Sequence, residues 1–70
     1  MKKYAALVDT ICESYEGDAF EASAQDVAAV MEDMEERWST FSCITLHIGG
    51  SITLIPVAAI VAFSIVEVPE

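Results

Sequence analysis

The sequence predicts an α+β fold in which two N-terminal amphipathic helices pack on one face of a three-stranded antiparallel β-meander. Three observations lead to this expectation. Charged residues are concentrated in residues 1–38, the apolar residues of that half recur at helical spacing, and residues 39–68 change to the alternation typical of strands. A chain of 70 residues can build only one core, so we expect a single domain over 1–70.

The first predicted helix covers residues 3–15. Its apolar residues recur every three or four positions and therefore form one stripe; they are Tyr4, Leu7, Val8, Ile11, Cys12 and Tyr15. Asp9 and Glu13 fall on the opposite side, and Gly17 followed by Asp18 ends the segment.

The second predicted helix covers residues 23–38. Ser23 followed three positions later by Asp26 resembles a capping box, which marks a helix start. At about 100° per residue the apolar side chains share one side of the helix; they are Val27, Val30, Met31, Met34 and Trp38. Carboxylates occupy much of the remaining circumference, so we expect a strongly acidic amphipathic helix.

Three strands are predicted after the helices, over residues 39–48, 51–55 and 61–68. Apolar and polar residues alternate along the first two, and Gly49-Gly50 between them supplies the positive φ angles of a tight hairpin turn. Pro56 ends the second strand because it has no N–H to donate. β-branched and aromatic residues favour a third strand beyond it.

A membrane span within residues 39–66 is an alternative interpretation, because this segment contains no charged side chain. Against a span stand the Gly49-Gly50 pair and Pro56 in its middle, its β-branched content, and the lack of a lysine or arginine after it.

The charge balance limits the partners. Three basic residues against twelve acidic ones give a formal net charge of −9, which disfavours direct binding to nucleic acid or to an anionic membrane. A basic protein surface is the natural complement. Cys12 and Cys43 have no short metal-binding spacing and are expected to be reduced in a cytoplasmic protein.

The sequence offers little for catalysis, so we expect a non-enzymatic protein without catalytic residues, cofactors or a metal site. His47 is the only histidine, and on a strand it lies about 13 Å from Cys43, too far for direct proton transfer. The carboxylates lack the alternating pattern of a calcium loop, and no glycine-rich phosphate loop is present.

The acidic residues are the candidate partner-binding site. Five lie on the second helix, and four lie on the first helix and its following loop: Asp26, Glu32, Asp33, Glu35 and Glu36, with Glu13, Glu16, Asp18 and Glu21. Glu32 and Glu36, four positions apart, destabilise a helix by repulsion. Solubility requires a net charge magnitude of only about two to eight, so we expect the excess charge to serve binding.

The length, the charge of −9 and the acidic segment from Asp26 to Trp38 resemble the small acidic inhibitors carried by phages and mobile elements, particularly anti-CRISPR proteins. The resemblance implies an inhibitor in the host cell cytoplasm that binds a Cas effector subunit by DNA mimicry or by blocking one basic patch.

Two other functions remain open, a generic protein-interaction or oligomeric module and a small membrane-associated protein. A homodimer through the sheet is one form of the module, because five residues are candidates for an apolar sheet face left uncovered by the helices. They are Phe41, Cys43, Ile55, Val66 and Val68.

Overall fold

The computed structural model describes residues 1–69, and within them it contains six strands in two sheets and one α-helix. The strands are β1 (Lys2–Thr10), β2 (Ser14–Glu16), β3 (Phe20–Ala22), β4 (Cys43–Ile48), β5 (Ser51–Pro56) and β6 (Ile60–Glu67). The helix α1 (Ala24–Arg37) lies between β3 and β4, and short 3-10 turns occupy Trp38–Thr40 and Val57–Ala59.

The larger sheet is antiparallel and has β1 at its centre. β6 pairs along one edge of β1, with Tyr4 opposite Glu67 and Val8 opposite Phe63. β2 and β3 pair with opposite ends of the other edge. β4 and β5 form a separate hairpin. The smallest dimension of the molecule, 17 Å, fits a sheet covered by one further layer.

The hairpin and α1 both lie on one face of the larger sheet; the other, open face carries neither of them, although Ala5 on it is buried. Cross-strand partners lie on the same face, so Ala6 and Val8 share the covered face with their partners Ile65 and Phe63. The hairpin packs over the end near Val8. The first half of helix α1 lies over the other end, near Ile65, and its second half lies beside the first half of β6.

The core lies between the larger sheet and the hairpin. Val8 is fully buried, and it forms one cluster with Leu46 of β4 and Ile55 of β5. Gly17 is also buried, and a β-carbon at this position would lie 2.9 Å from the Leu46 Cδ1 atom. The close approach of the hairpin to the β2–β3 connection therefore favours glycine, because any side chain at this position would displace Leu46 from the core.

Helix α1 is capped at its start and lies loosely on the sheet. The Ser23 side chain accepts a hydrogen bond from the Asp26 backbone N–H at 3.1 Å, satisfying one of the free amides of the first turn. No residue of α1 is buried. Trp38, directly after it, contacts Phe63 with 6.2 Å between ring centroids, which fastens the end of the helix to β6.

The predicted fold is wrong in its N-terminal half. Residues 3–15, expected to be a helix, form most of β1, a turn and the start of β2. The physical reason is that β1 is a central strand, whose backbone groups pair with strands on both edges. The adjacent residues Tyr4 and Ala5 are both buried although they face opposite sides, so no period-2 pattern marks the strand.

The predicted meander is wrong as well. β4 and β5 pair as a hairpin, but β6 leaves them and pairs with β1. Residues 39–42, assigned to the first predicted strand, lie in a 3-10 turn and a bend instead. Helix α1 does lie within the predicted range 23–38, and Gly49 and Gly50 adopt φ angles of 59° and 81° in the hairpin turn.

The uncharged segment 39–66 contains β4, β5 and most of β6. Among residues 1–69, no helix combines the length and the apolar character that crossing a membrane requires.

Candidate partner-binding surface

Helix α1 exposes five carboxylates. All of the helical acids predicted from the sequence are exposed: Asp26, Glu32, Asp33, Glu35 and Glu36. Arg37 lies 3.3 Å from Asp33 through its Nη1 atom, but both side chains are more than half exposed, so the pair adds little stability. The helix therefore keeps a large excess of negative charge.

Two of the other predicted acids lie on the opposite side of the sheet from α1. Glu16 pairs with Leu7 and Glu21 pairs with Lys3, which places both acids on the open face. They lie on strands, not on a helix and its loop as the sequence predicted. The nine predicted carboxylates therefore do not form one continuous surface.

Glu13 lies in the turn between β1 and β2. Its carboxylate accepts a hydrogen bond from the Tyr15 hydroxyl at 2.5 Å. This hydrogen bond is the main cause that raises the pKa of Tyr15 above its ordinary value. Glu13 thus has a local partner within the turn.

Asp18 joins the larger sheet to the hairpin. Its carboxylate accepts hydrogen bonds from the backbone amides of Gly49, at 2.9 Å, and Gly50, at 3.1 Å. These two bonds lower the pKa of Asp18, and the nearby His47 acts in the same direction. The sequence signal for this role was the Gly49-Gly50 pair, whose two neighbouring amides favour an anionic acceptor.

A groove between α1 and β6 was not predicted from the sequence. Its volume is about 740 Å³, and the second half of α1 and the first half of β6 line it. Met31, Met34 and Trp38 form much of the apolar lining, and Glu32 and Glu35 add carboxylates. The sequence predicts these three residues on the apolar side of the second helix, and all three are half-buried. The methionines and tryptophan on one side of the helix were the sequence feature that could have indicated a binding groove.

The free edge of β6 forms the other wall of this groove. β6 pairs with β1 on one side, and within the described chain it has no strand partner on the other. Four consecutive residues, 60–63, line the groove. Ala62 and Phe63 pair with Asp9 and Val8, which face opposite sides of the sheet, so the groove follows the strand edge. The pairing skips Val61, which marks a β-bulge in β6. Val61 at this edge is 69% exposed.

The hairpin exposes a second apolar area on its outer face. Ile52 and Leu54 are 66% and 65% exposed, and they lie opposite His47 and Thr45 in β4. Cys43 is on the same face and is exposed.

The residues expected to form a sheet dimer interface do not share a face. Ile55 is buried in the core, Cys43 lies on the outer face of the hairpin, and Val66 lies on the open face of the larger sheet opposite Ala5. Phe41 follows the 3-10 turn and packs edge-on against Trp38. The expected apolar face was based on a meander that the chain does not form.

The reactive side chains are dispersed. Cys12 and Cys43 are both free and exposed, and His47 is exposed on the hairpin. Within residues 1–69, no three side chains of histidine, cysteine, aspartate or glutamate converge as metal ligands. The acidic helix and the adjoining groove are the features best suited to binding.

In comparisons with known proteins, no family model, no curated protein and no solved structure matches this chain.

Proposed function

We propose that this protein is a non-enzymatic inhibitor that docks the acidic side of α1 on a basic, nucleic-acid-binding surface of a partner, such as a CRISPR-Cas effector subunit. The supporting observation is the excess of exposed carboxylates on one helix of 14 residues, in which Arg37 is the only basic residue. Such a helix has a natural complement in a surface of lysine and arginine side chains.

The arrangement of these acids suits a site built for nucleic acid. Glu32 and Glu36 are one turn apart, about 6 Å along the helix axis, which is close to the spacing of neighbouring phosphates along a strand. A rigid helix holds its charges in place, so less conformational entropy is lost on binding than with a flexible acidic tail. Charge complementarity also accelerates association and makes it sensitive to salt.

A second candidate function is a protein-interaction module that uses the outer face of the hairpin. The exposure of Ile52 and Leu54 favours it, since such side chains are often covered by a partner. Binding through this face depends on apolar contact and therefore responds weakly to salt. Salt dependence thus distinguishes the two functions.

The test is competition between this protein and labelled target DNA for purified Cas effector complexes. Two variants with matched charge provide the comparison, and each changes the formal net charge from −9 to −6. The helix variant combines Glu32→Gln, Glu35→Gln and Glu36→Gln. The sheet variant combines Glu13→Gln, Glu16→Gln and Glu21→Gln.

We expect the unmodified protein to displace DNA and to lose this ability as salt rises. The helix variant should require at least about tenfold more protein for half displacement, whereas the sheet variant should stay close to the original. Failure to displace DNA from any effector would show the proposal to be wrong. Equal losses in the two variants would also contradict it, because net charge alone would then explain binding.

A further inference from the structure

We propose that the groove between α1 and β6 binds an extended segment of the basic partner, which adds as a strand to the free edge of β6. In this arrangement apolar side chains of the segment contact Met31, Met34 and Trp38, and its basic side chains approach Glu32 and Glu35. The inference rests on the proposed function, because it identifies which part of a basic partner α1 holds.

The backbone of β6 supplies the first part of the argument. A strand edge presents unpaired N–H and C=O groups that can bind another strand. Soluble proteins usually protect such edges with lysine, proline or a bulge. β6 has a bulge at Val61, but residues 62–66 after it contain neither a charged residue nor a proline. The edge therefore offers main-chain hydrogen bonds to an extended peptide, which is a common mode of peptide recognition.

The apolar lining supplies the second part. A volume of about 740 Å³ is within the usual range for binding sites of small molecules and can hold several side chains of a peptide. Met31 and Met34 are flexible and can adapt to side chains of different shape. Trp38 is held against Phe63 and Phe41, so it provides a fixed wall.

The negative charge of the groove favours a basic segment as its ligand. Glu32 and Glu35 are three positions apart and lie on the same side of the helix. The residues that line the groove within the described chain include no lysine or arginine. A second copy of this chain would add another net charge of −9 and place its own carboxylates next to these two. Repulsion thus disfavours self-pairing of β6, whereas a segment that carries both apolar and basic side chains on the strand face turned towards α1 satisfies both the edge and the groove.

The experiment measures binding of fluorescein-labelled ten-residue peptides to the intact protein by anisotropy. The test peptide, the alternating lysine peptide, places lysine and valine in turn at every second position with serine between them, so that both lie on one face of a strand. One control has glutamate in place of each lysine, and a second contains the lysines and valines of the test peptide arranged at helical spacing. A third is the alternating lysine peptide with every second backbone nitrogen methylated, which removes the hydrogen bonds of one edge while the side chains stay unchanged.

Two variants of α1 locate the binding site. The groove variant combines Glu32→Gln with Glu35→Gln, and the control variant combines Asp33→Asn with Glu36→Gln at positions that do not line the groove. Each variant has a formal net charge of −7. We expect the groove variant to weaken binding of the alternating lysine peptide by about tenfold and the control variant by no more than about threefold.

We expect the alternating lysine peptide to bind more tightly than all three peptide controls. Tighter binding of the peptide with helical spacing would overturn the inference, because the groove would then hold a helix. Unchanged binding of the methylated peptide would overturn strand addition. A dimer of this protein that excludes the peptide would assign the edge to a second copy.

If both α1 variants weakened peptide binding equally, the groove would not be the peptide-binding site. That result would still agree with the proposed function, in which the whole acidic side of α1 binds the partner. Failure of the proposed function is seen separately, as the absence of DNA displacement from the effectors. The two proposals can therefore fail independently.

Discussion

The Asp18 carboxylate accepts a hydrogen bond from the Gly49 backbone amide at 2.9 Å and so links the β2–β3 connection to the hairpin turn. Two further bonds support this link, from the Gly50 amide to the same carboxylate at 3.1 Å and from the Asp18 amide to the His47 carbonyl at 2.6 Å. Asp18, which the sequence predicted to bind a partner, thus holds the hairpin against the larger sheet.

Replacing Asp18 should lower thermal stability in a graded way. Asp18→Ala removes both side-chain acceptors of the turn amides, and we expect the Tm to fall by about 5 °C. Asp18→Asn retains one acceptor oxygen and should cause a smaller decrease. Circular dichroism during heating measures both. Glu16→Gln, at a nearby exposed acid, is the control, and an equal decrease in that variant would contradict the role of Asp18.

The same link predicts a pH dependence. The pKa of Asp18 is lower in the folded chain than its ordinary value of 3.8, so its stabilising effect is present above that value and is lost as pH falls through the folded-state pKa. The difference in Tm between the original protein and Asp18→Asn should therefore stay constant near neutral pH and shrink below about pH 4.

Heating both proteins over a series of pH values tests this expectation. Repulsion among the other carboxylates is present in both proteins, so it largely cancels in the difference. A difference that grows towards acid pH would show that the sign is wrong.

Two leucines of the hairpin should differ sharply in their importance for stability. Leu46 is 5% exposed and contacts Val8 and Ile55 in the core, whereas Leu54 is 65% exposed on the outer face. Leu46→Ala should decrease the free energy of unfolding by about 2 to 5 kcal/mol, and Leu54→Ala should change it by no more than about 0.5 kcal/mol. Urea denaturation measures both. Similar values would contradict the packing of the hairpin on β1.

The start of α1 should depend on Ser23. Ser23→Ala removes the acceptor for the Asp26 amide, and the helix should lose about 1 kcal/mol of stability. Because α1 carries the acids of the proposed site, this variant should also bind the partner more weakly. Ser23→Asp keeps an acceptor and should retain both properties. Helical circular dichroism and the DNA competition assay provide the measurements, and normal binding by a partly unfolded α1 would argue against the helical site.

The sequence was informative where a segment has one buried side. Helix α1 packs one side on the sheet, and the hairpin has an inner and an outer face, so the periods of these segments are visible. β1 is different because buried residues occur on both of its faces, as Tyr4 and Ala5 show. An apolar run of that kind does not distinguish a strand from a helix, and Leu7 and Ile11 happened to complete a helical stripe.

The candidate site was predictable only in part. The acids of α1 follow directly from the composition of one amphipathic helix. The separation of Glu16 and Glu21 from them depends on which face of β1 each one shares, and this follows from strand pairing that local sequence does not encode. The groove beside β6 likewise requires the strand to leave its neighbours in sequence and pair with β1.

The position of β1 and β6 also determines the order in which the chain can fold during synthesis. β1 is translated before β2 to β6, yet Tyr4 finds its partner Glu67 only after that residue has left the ribosome. Until then the central strand of the sheet has one edge without its native partner, and such edges favour misassembly in nascent chains. The sheet can be completed only after β6 has been translated, and β1 and β6 are far apart in sequence. Pairing between such distant strands makes folding slower than for a helical protein of this size.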